Sequence, residues 1–279
     1  MDGPSILVAT MSVPQVRDRR GRLWQYHSRS DRHSRTACWA VVFDLLQQST
    51  LLRGHASSGK VVFGVNFEMR DFATGRKKKL DLVVARPAGT GGGNAKTLAQ
   101  LADEWGIVLD AAQRSELVGL PWLQEGVVGA VLIALEAKAA MTAHTKARPR
   151  LYDELNSSHL TVHGASRQAL AAGFVMVNVS TTFVSPGLQR RGRPTVVSAH
   201  SQPRDAEGII AKVREIPRRV GPESTGFDGL AIVAIECAND GSPVRLVTAP
   251  PAPQPGDIYH YETMVTRVAN EYDTTFSGI

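Results

Sequence analysis

Five consecutive apolar residues, Val131-Leu132-Ile133-Ala134-Leu135, run directly into Glu136-Ala137-Lys138. A run of this kind reads as a strand buried on both faces, and such a strand belongs to a sheet covered by helices on either side. Side chains alternate along a strand, so Glu136 and Lys138 project from the same face where the apolar run ends. Charges are costly to hold there without a use.

The rest of the chain supplies matching elements. Ala37, Cys38, Val41, Val42 and Leu45 follow helical spacing and predict a first core helix over 34–48, with Ser34 as its N-cap. Residues 60–72 and 79–85 read as strands around a hairpin turn at Ala73-Thr74-Gly75-Arg76. Gly89-Thr90-Gly91-Gly92-Gly93 reads as a mobile loop, and no Gly-Lys-Ser/Thr follows it, which argues against a Walker-type ATP site. Leu98, Leu101, Ala102, Trp105 and Leu109 predict a helix over 97–116. Pro149 fits the first turn of a helix running toward Ala169. Strands follow over 173–180 and 229–237, with a helix over 204–219 between them. This order favours an α/β fold with a mixed central sheet flanked by helices. Prolines and small residues over 243–255 predict a surface-hugging end to the chain.

Two parts are expected. Residues 1–33 form a basic N-terminal segment centred on Arg17-Asp18-Arg19-Arg20-Gly21-Arg22, read either as an arm that tracks phosphates or as a partly disordered lead-in. Residues 34–279 form a single domain with an insertion around 87–127 that either caps the site or enlarges the core.

Composition narrows the partners. A net charge of +6 and a pI near 9.5 make a polyanion plausible, since neutralised phosphates release counterions. No apolar run reaches membrane-span length, and the N-terminus lacks a basic start followed by a hydrophobic stretch, so a cytoplasmic protein with no membrane partner is expected. Cys38 and Cys237 both sit among apolar residues, as buried free thiols do in a reducing compartment. His159 and His163 stand four apart but without the glutamate of an H-E-x-x-H motif, which argues against zinc.

Asp81 is a carboxylate among Leu80, Leu82, Val83 and Val84, and of all the acids in the chain only Glu136 is followed two positions on by a lysine. Two carboxylates on adjacent strands can converge on one hard cation through oxygen ligands, with the lysine beside the water it holds. Asp81, then Glu136-Ala137-Lys138, then a helix and another apolar strand resembles the PD-(D/E)XK nuclease superfamily, in particular its restriction-endonuclease-like members. The resemblance covers roughly residues 34–238. It departs at Leu80, where the family name has proline, and the interval from Asp81 to Glu136 is long.

The resemblance implies a restriction-endonuclease-like core and a divalent-metal-dependent DNA endonuclease, foremost a type II restriction enzyme. The alternatives are a structure-specific repair nuclease and a DNA-binding protein on the same fold that does not cut. Asp81, Glu136 and the backbone carbonyl of Ala137 are the implied ligands of Mg²⁺, with Mn²⁺ as its substitute, and Lys138 the residue that positions the attacking water. Asp44 and Glu68 are candidate extra acids. Double-stranded DNA is the expected partner and a homodimer the expected assembly. Lys78 and Lys79 before the acid, and Lys146, Arg150, Asn156, His159, His163 and Arg167 after the lysine, are the expected DNA contacts.

Overall fold

Val131 to Leu135 lies within the longest strand among the described residues, a central member of a six-stranded sheet. The computed structural model describes residues 1–72, 74–89, 95–190, 192–221 and 223–279. The chain opens with α1 (Gly3–Ser12), a small hairpin of β1 (Val16–Arg17) and β2 (Leu23–Trp24), α2 (Arg32–Gln48) and α3 (Thr50–Ser57). There follow β3 (Val62–Arg70), β4 (Lys77–Pro87), α4 (Leu98–Glu104), α5 (Ala111–Gly119), β5 (Val128–Ala140), α6 (His144–Ala165) and β6 (Leu170–Asn178). A second hairpin, β7 (Thr182–Phe183) with β8 (Ser198–Ala199), precedes α7 (Arg204–Arg214), β9 (Gly229–Glu236), β10 (Arg245–Val247) and α8 (Tyr261–Thr275).

The sheet order is β10-β9-β6-β5-β4-β3. β3, β4 and β5 form an antiparallel meander, whereas β6 is parallel to β5 and β9 to β6. Parallel neighbours need a crossover, and α6 and α7 supply the two. Alternation along the strands builds a core on each face. Leu82, Val84, Leu135, Phe174 and Val233 pack toward α1, α2 and α8, while Val83, Ala134, Val175 and Ile232 pack toward α6 and α7. The fold is therefore α/β with a mixed sheet between two helical layers, as the doubly buried apolar run requires.

One irregularity matters for the site. Phe63 and Val65 face the α2 layer, but Phe67 and Met69 face the α6 layer; on the paired strand Leu82 faces the first and Leu80 the second. The register is unbroken across the change, with Val65 opposite Leu82 and Phe67 opposite Leu80. Asn66, left-handed at φ 53°, absorbs it, and counting along that register places Asp81 opposite Asn66. Asparagine tolerates this conformation better than most residues.

Several expectations need correction. Gly3–Ser12, expected within a basic lead-in, is helical and puts Ile6, Leu7 and Met11 into the core with at most 1% exposure. The predicted 97–116 helix is two helices separated by Gly106 at φ +61°, each opened by a capping box, Thr97 with Gln100 and Asp110 with Gln113. Leu98, Leu101, Ile107, Leu109 and Leu123 join the α2-side core, so this insertion enlarges the core. α6 begins at His144, which leaves Pro149 inside the helix, where it has no N–H to give the preceding turn. α7 stops at Arg214 rather than running to 219. The end of the chain is a core element, because α8 buries Met264, Val265, Val268 and Tyr272. Of the hairpin turn, Ala73 lies outside the described residues, as do residues 90–94 of the glycine-rich loop and Arg191. No helix among the described residues is long and apolar enough to cross a membrane.

Candidate active site

Glu136 and Lys138 lie side by side on the α6 face of β5, as the alternation demands. Lys138 Nζ stands 2.6 Å from Glu136 Oε1 and 3.4 Å from Glu154 on α6. Lys78 Nζ, from β4, approaches the same Glu136 oxygen at 3.6 Å and donates to the Glu154 carbonyl at 3.3 Å. Asp81 sits where β4 changes face and accepts the Ala137 N–H at Oδ2, 2.9 Å. The N–H and C=O of one strand residue leave on the same side, so the Ala137 carbonyl is directed toward β4 and the edge where Asp81 stands.

Glu136 is 3% exposed, and its Oε2 has no hydrogen-bond partner. A buried carboxylate oxygen left without a protein donor is costly, and a water or a cation is what can satisfy it. Burial raises the Glu136 and Asp81 carboxyls above their ordinary range; Lys138 and the Ala137 N–H only partly offset this. Burial also works against the Lys138 charge, but Glu136, Asp81 and Glu154 outweigh it and hold the ammonium above its ordinary pKa. At neutral pH Lys138 is a cation, not a base.

Asp81, Ala137, Lys138 and Glu154 line an open cleft of about 470 Å³, and Glu136 is buried beside Lys138. α2 contributes Ser34 and the segment before it Tyr26, Arg29 and Asp31; α6 contributes Lys146, Arg150 and Glu154. Ala143, at the mouth of α6, is held left-handed at φ 51° and also lines the cleft. Non-glycine residues in this conformation store roughly 1–3 kcal/mol of strain and cluster at functional sites.

The oxygen set suits a hard cation. Asp81, Glu136 Oε2 and the Ala137 carbonyl offer no thiolate or imidazole, and Mg²⁺ commonly takes one or two carboxylates and fills its remaining positions with water and phosphate. Among the described residues no group of three or more His, Cys, Asp or Glu side chains is placed to hold a metal.

Of the expected DNA contacts, Lys78, Lys146 and Arg150 reach the site or its cleft. Lys79 is exposed on β4 and pairs in register with Glu68. The remainder are corrections. His159 is fully buried, bonded to the Asn156 amide oxygen and edge-on to Phe227, so its ring is not free to read a base, and Asn156 is half-buried beside it. His163 is buried against the Gly226 carbonyl, 2.8 Å away, and near Asp228. Arg167 is exposed but pairs with Glu223 and borders a different hollow at the far end of α6.

Neither candidate extra acid takes part. Asp44 accepts the Asp2 and Gly3 N–H groups and the Tyr261 hydroxyl, fastening α1 and α8 to α2. Glu68 forms an exposed ion pair with Lys77. The acid that does reach the cleft, Glu154, escaped sequence reasoning. Its signal was the stripe Lys146, Arg150 and Glu154 at four-residue spacing on one helix face.

Comparison with protein-family models, with curated proteins and with solved structures finds no match to this chain.

Proposed function

We propose that the chain is a divalent-metal-dependent DNA endonuclease of restriction-endonuclease type, acting on double-stranded DNA. The observation that carries the reading is that Asp81 and Glu136 stand on adjacent strands, the buried Glu136 Oε2 unpartnered and Lys138 beside it, with Asp81 and Lys138 lining an open cleft. The acid strand, the Glu-X-Lys strand, the helix and the parallel strand after it also run in the order the resemblance implies.

Asp81, Glu136 and the Ala137 carbonyl would hold Mg²⁺ or Mn²⁺, which when bound supplies Lewis acidity and a more acidic water. Lys138, kept protonated by its acidic neighbours, orients water at Nζ and opposes the negative charge that develops on the phosphate. Lys146 and Arg150 face the cleft and hold the backbone of the strand that enters it. The described residues carry one such site, so cutting both strands calls for two copies, and a two-fold homodimer matches a palindromic target.

Incubating the protein with mixed-sequence duplex DNA and Mg²⁺ or Mn²⁺, then sequencing the ends, tests this. Discrete ends from a protein that sediments as a dimer are expected. Scattered nicks from a monomer would instead support a repair nuclease, and full activity in chelator, or intact DNA with both metals, would overturn the metal-dependent reading.

A further inference from the structure

Two arginine-rich projections, far apart in sequence, meet beside the cleft. The β1–β2 hairpin carries Arg17, Arg19, Arg20 and Arg22, and the loop between β7 and β8 carries Arg190 and Arg193; all six are exposed. Arg20 Nη1 donates to the Gln189 carbonyl at 3.0 Å and joins the two. Gln189 is itself buried and closes its own loop through the Ser185 and Val196 carbonyls and the Val196 N–H, so it is a firm anchor.

Both projections spring from the wall of the cleft. Asn239 clamps their roots together: its amide donates to the Tyr26 and Val184 carbonyls and its oxygen accepts the Tyr26 N–H. Tyr26 lines the cleft. On the other root, His200 bonds to Thr142, a second residue of the cleft. Arg17 lines a groove that shares Ser30 and Asp31 with the cleft. Arg29, on the cleft itself, continues the basic surface inward.

The charge is unspent. Among the described residues none of these arginines forms an ion pair with an acid. The one acid in the hairpin, Asp18, is occupied by the Trp24 indole N–H and the Arg20 and Arg22 backbone N–H groups, and these hydrogen bonds, with the nearby Arg20 charge, hold its carboxyl below the ordinary range. Every cation here is arginine, whose planar fork matches phosphate oxygens in pairs. Leu23, Leu188, Val196 and Val197 are exposed beside them, a mixture that sugar faces and groove edges accommodate.

We infer that the β1–β2 hairpin and the β7–β8 loop form a two-pronged clamp on the phosphate backbone of duplex DNA outside the cleft. The inference deepens the nuclease reading by moving the main grip on the duplex from α6 to these arginines. It rests on that reading only for the choice of DNA over other polyanions.

Binding of the full chain to a labelled mixed-sequence duplex in chelator, across a salt series, tests the clamp without cleavage. Replacing Arg19, Arg20, Arg190 and Arg193 together by alanine should weaken binding at least about tenfold and flatten the dependence of log K on log salt by about 0.9 for each phosphate no longer neutralised. Replacing the same four by lysine should restore most of the salt dependence, which a misfolded variant would not do. Unchanged affinity and salt dependence in the alanine variant overturns the clamp, as does binding to phosphatidylserine vesicles with none to DNA. A chain whose DNA binding depends on these arginines but which cuts with neither metal keeps the clamp and removes the nuclease reading.

Discussion

At the scale of single residues, Asp44 and Asp81 pose the same riddle in sequence: each is an acid among apolar neighbours. Their partners separate them. Asp44 finds the N–H groups of Asp2 and Gly3 and the Tyr261 hydroxyl, and is thereby structural. Asp81 finds one N–H, from Ala137, and the Ser34 hydroxyl, and otherwise faces the cleft. A carboxyl whose folded-state pKa is raised contributes stability that is complete below the unfolded value and is lost as pH rises through the folded one. Asp81 is raised by burial, so at neutral pH its charge is a burden on the fold. Asp81→Asn keeps the oxygen that accepts the Ala137 N–H and removes the charge. Its melting temperature should exceed the native one at neutral pH, the difference shrinking as pH falls toward the ordinary carboxylate range, while cleavage drops by at least about two orders of magnitude. A variant that melts lower at neutral pH would refute the burial argument; one that cuts normally would refute the site. Glu136 and Lys138 were legible because strand alternation fixes their common face. Glu154, and the change of face at Asn66 that aims Asp81, depend on how separate elements meet, which spacing within one segment does not encode.

Among the elements, legibility followed pattern. α2, β4, β5, β6 and β9 carry unbroken or periodic apolar residues and stand within a few positions of their predicted limits. α1 was obscured by the arginines behind it, although Ile6, Leu7 and Met11 have helical spacing. α8 was obscured by the prolines of 243–255, which describe the approach to the helix and not the helix itself. Its placement on the sheet depends on a missing side chain. A Cβ on Gly229 would stand 2.6 Å from Val268 Cγ2 and 2.9 Å from Met264 Cγ, so the glycine permits α8 to lie close against β9. Gly229→Ala should therefore cost about 1–3 kcal/mol, the usual penalty for overpacking a tight contact. Urea unfolding of the two proteins measures it. An unchanged midpoint would mean that α8 can shift freely and is not locked to the sheet, whereas Gly54→Ala, where an added Cβ meets nothing within 4 Å, serves as the helical control.

For the whole molecule, the two helical layers and the sheet between them bury Glu136, half-bury Asp81 and leave Glu136 Oε2 without a protein donor, and a ligand that satisfies it must stabilise the folded state. A cation that binds the native chain and not the unfolded one adds RT ln(1 + [M]/Kd), about 2.7 kcal/mol at a hundredfold excess over Kd. The added term would act on a fold that carries Glu136 Oε2 without a partner and two carboxyls raised by burial, so Mg²⁺ bound as proposed would relieve a burden already present. Thermal melts in rising Mg²⁺ or Mn²⁺ should shift upward with the logarithm of concentration once binding saturates, and Ca²⁺, also a hard oxygen-seeking cation, should do the same while supporting little cleavage. The double variant Asp81→Asn, Glu136→Gln removes both charged ligands and the burden together. It should melt at the same temperature with and without the cation. Lys138→Ala is the contrasting case: it takes away the ammonium at 2.6 Å from Glu136 Oε1 and leaves every proposed ligand in place, so its metal-dependent shift should persist or grow although cutting is lost. A double variant that still responds to Mg²⁺ as the native chain does would place the cation elsewhere on the molecule, and a native chain that does not respond at all would leave Asp81 and Glu136 as a buried ion-pair cluster around Lys138 with no metal to serve.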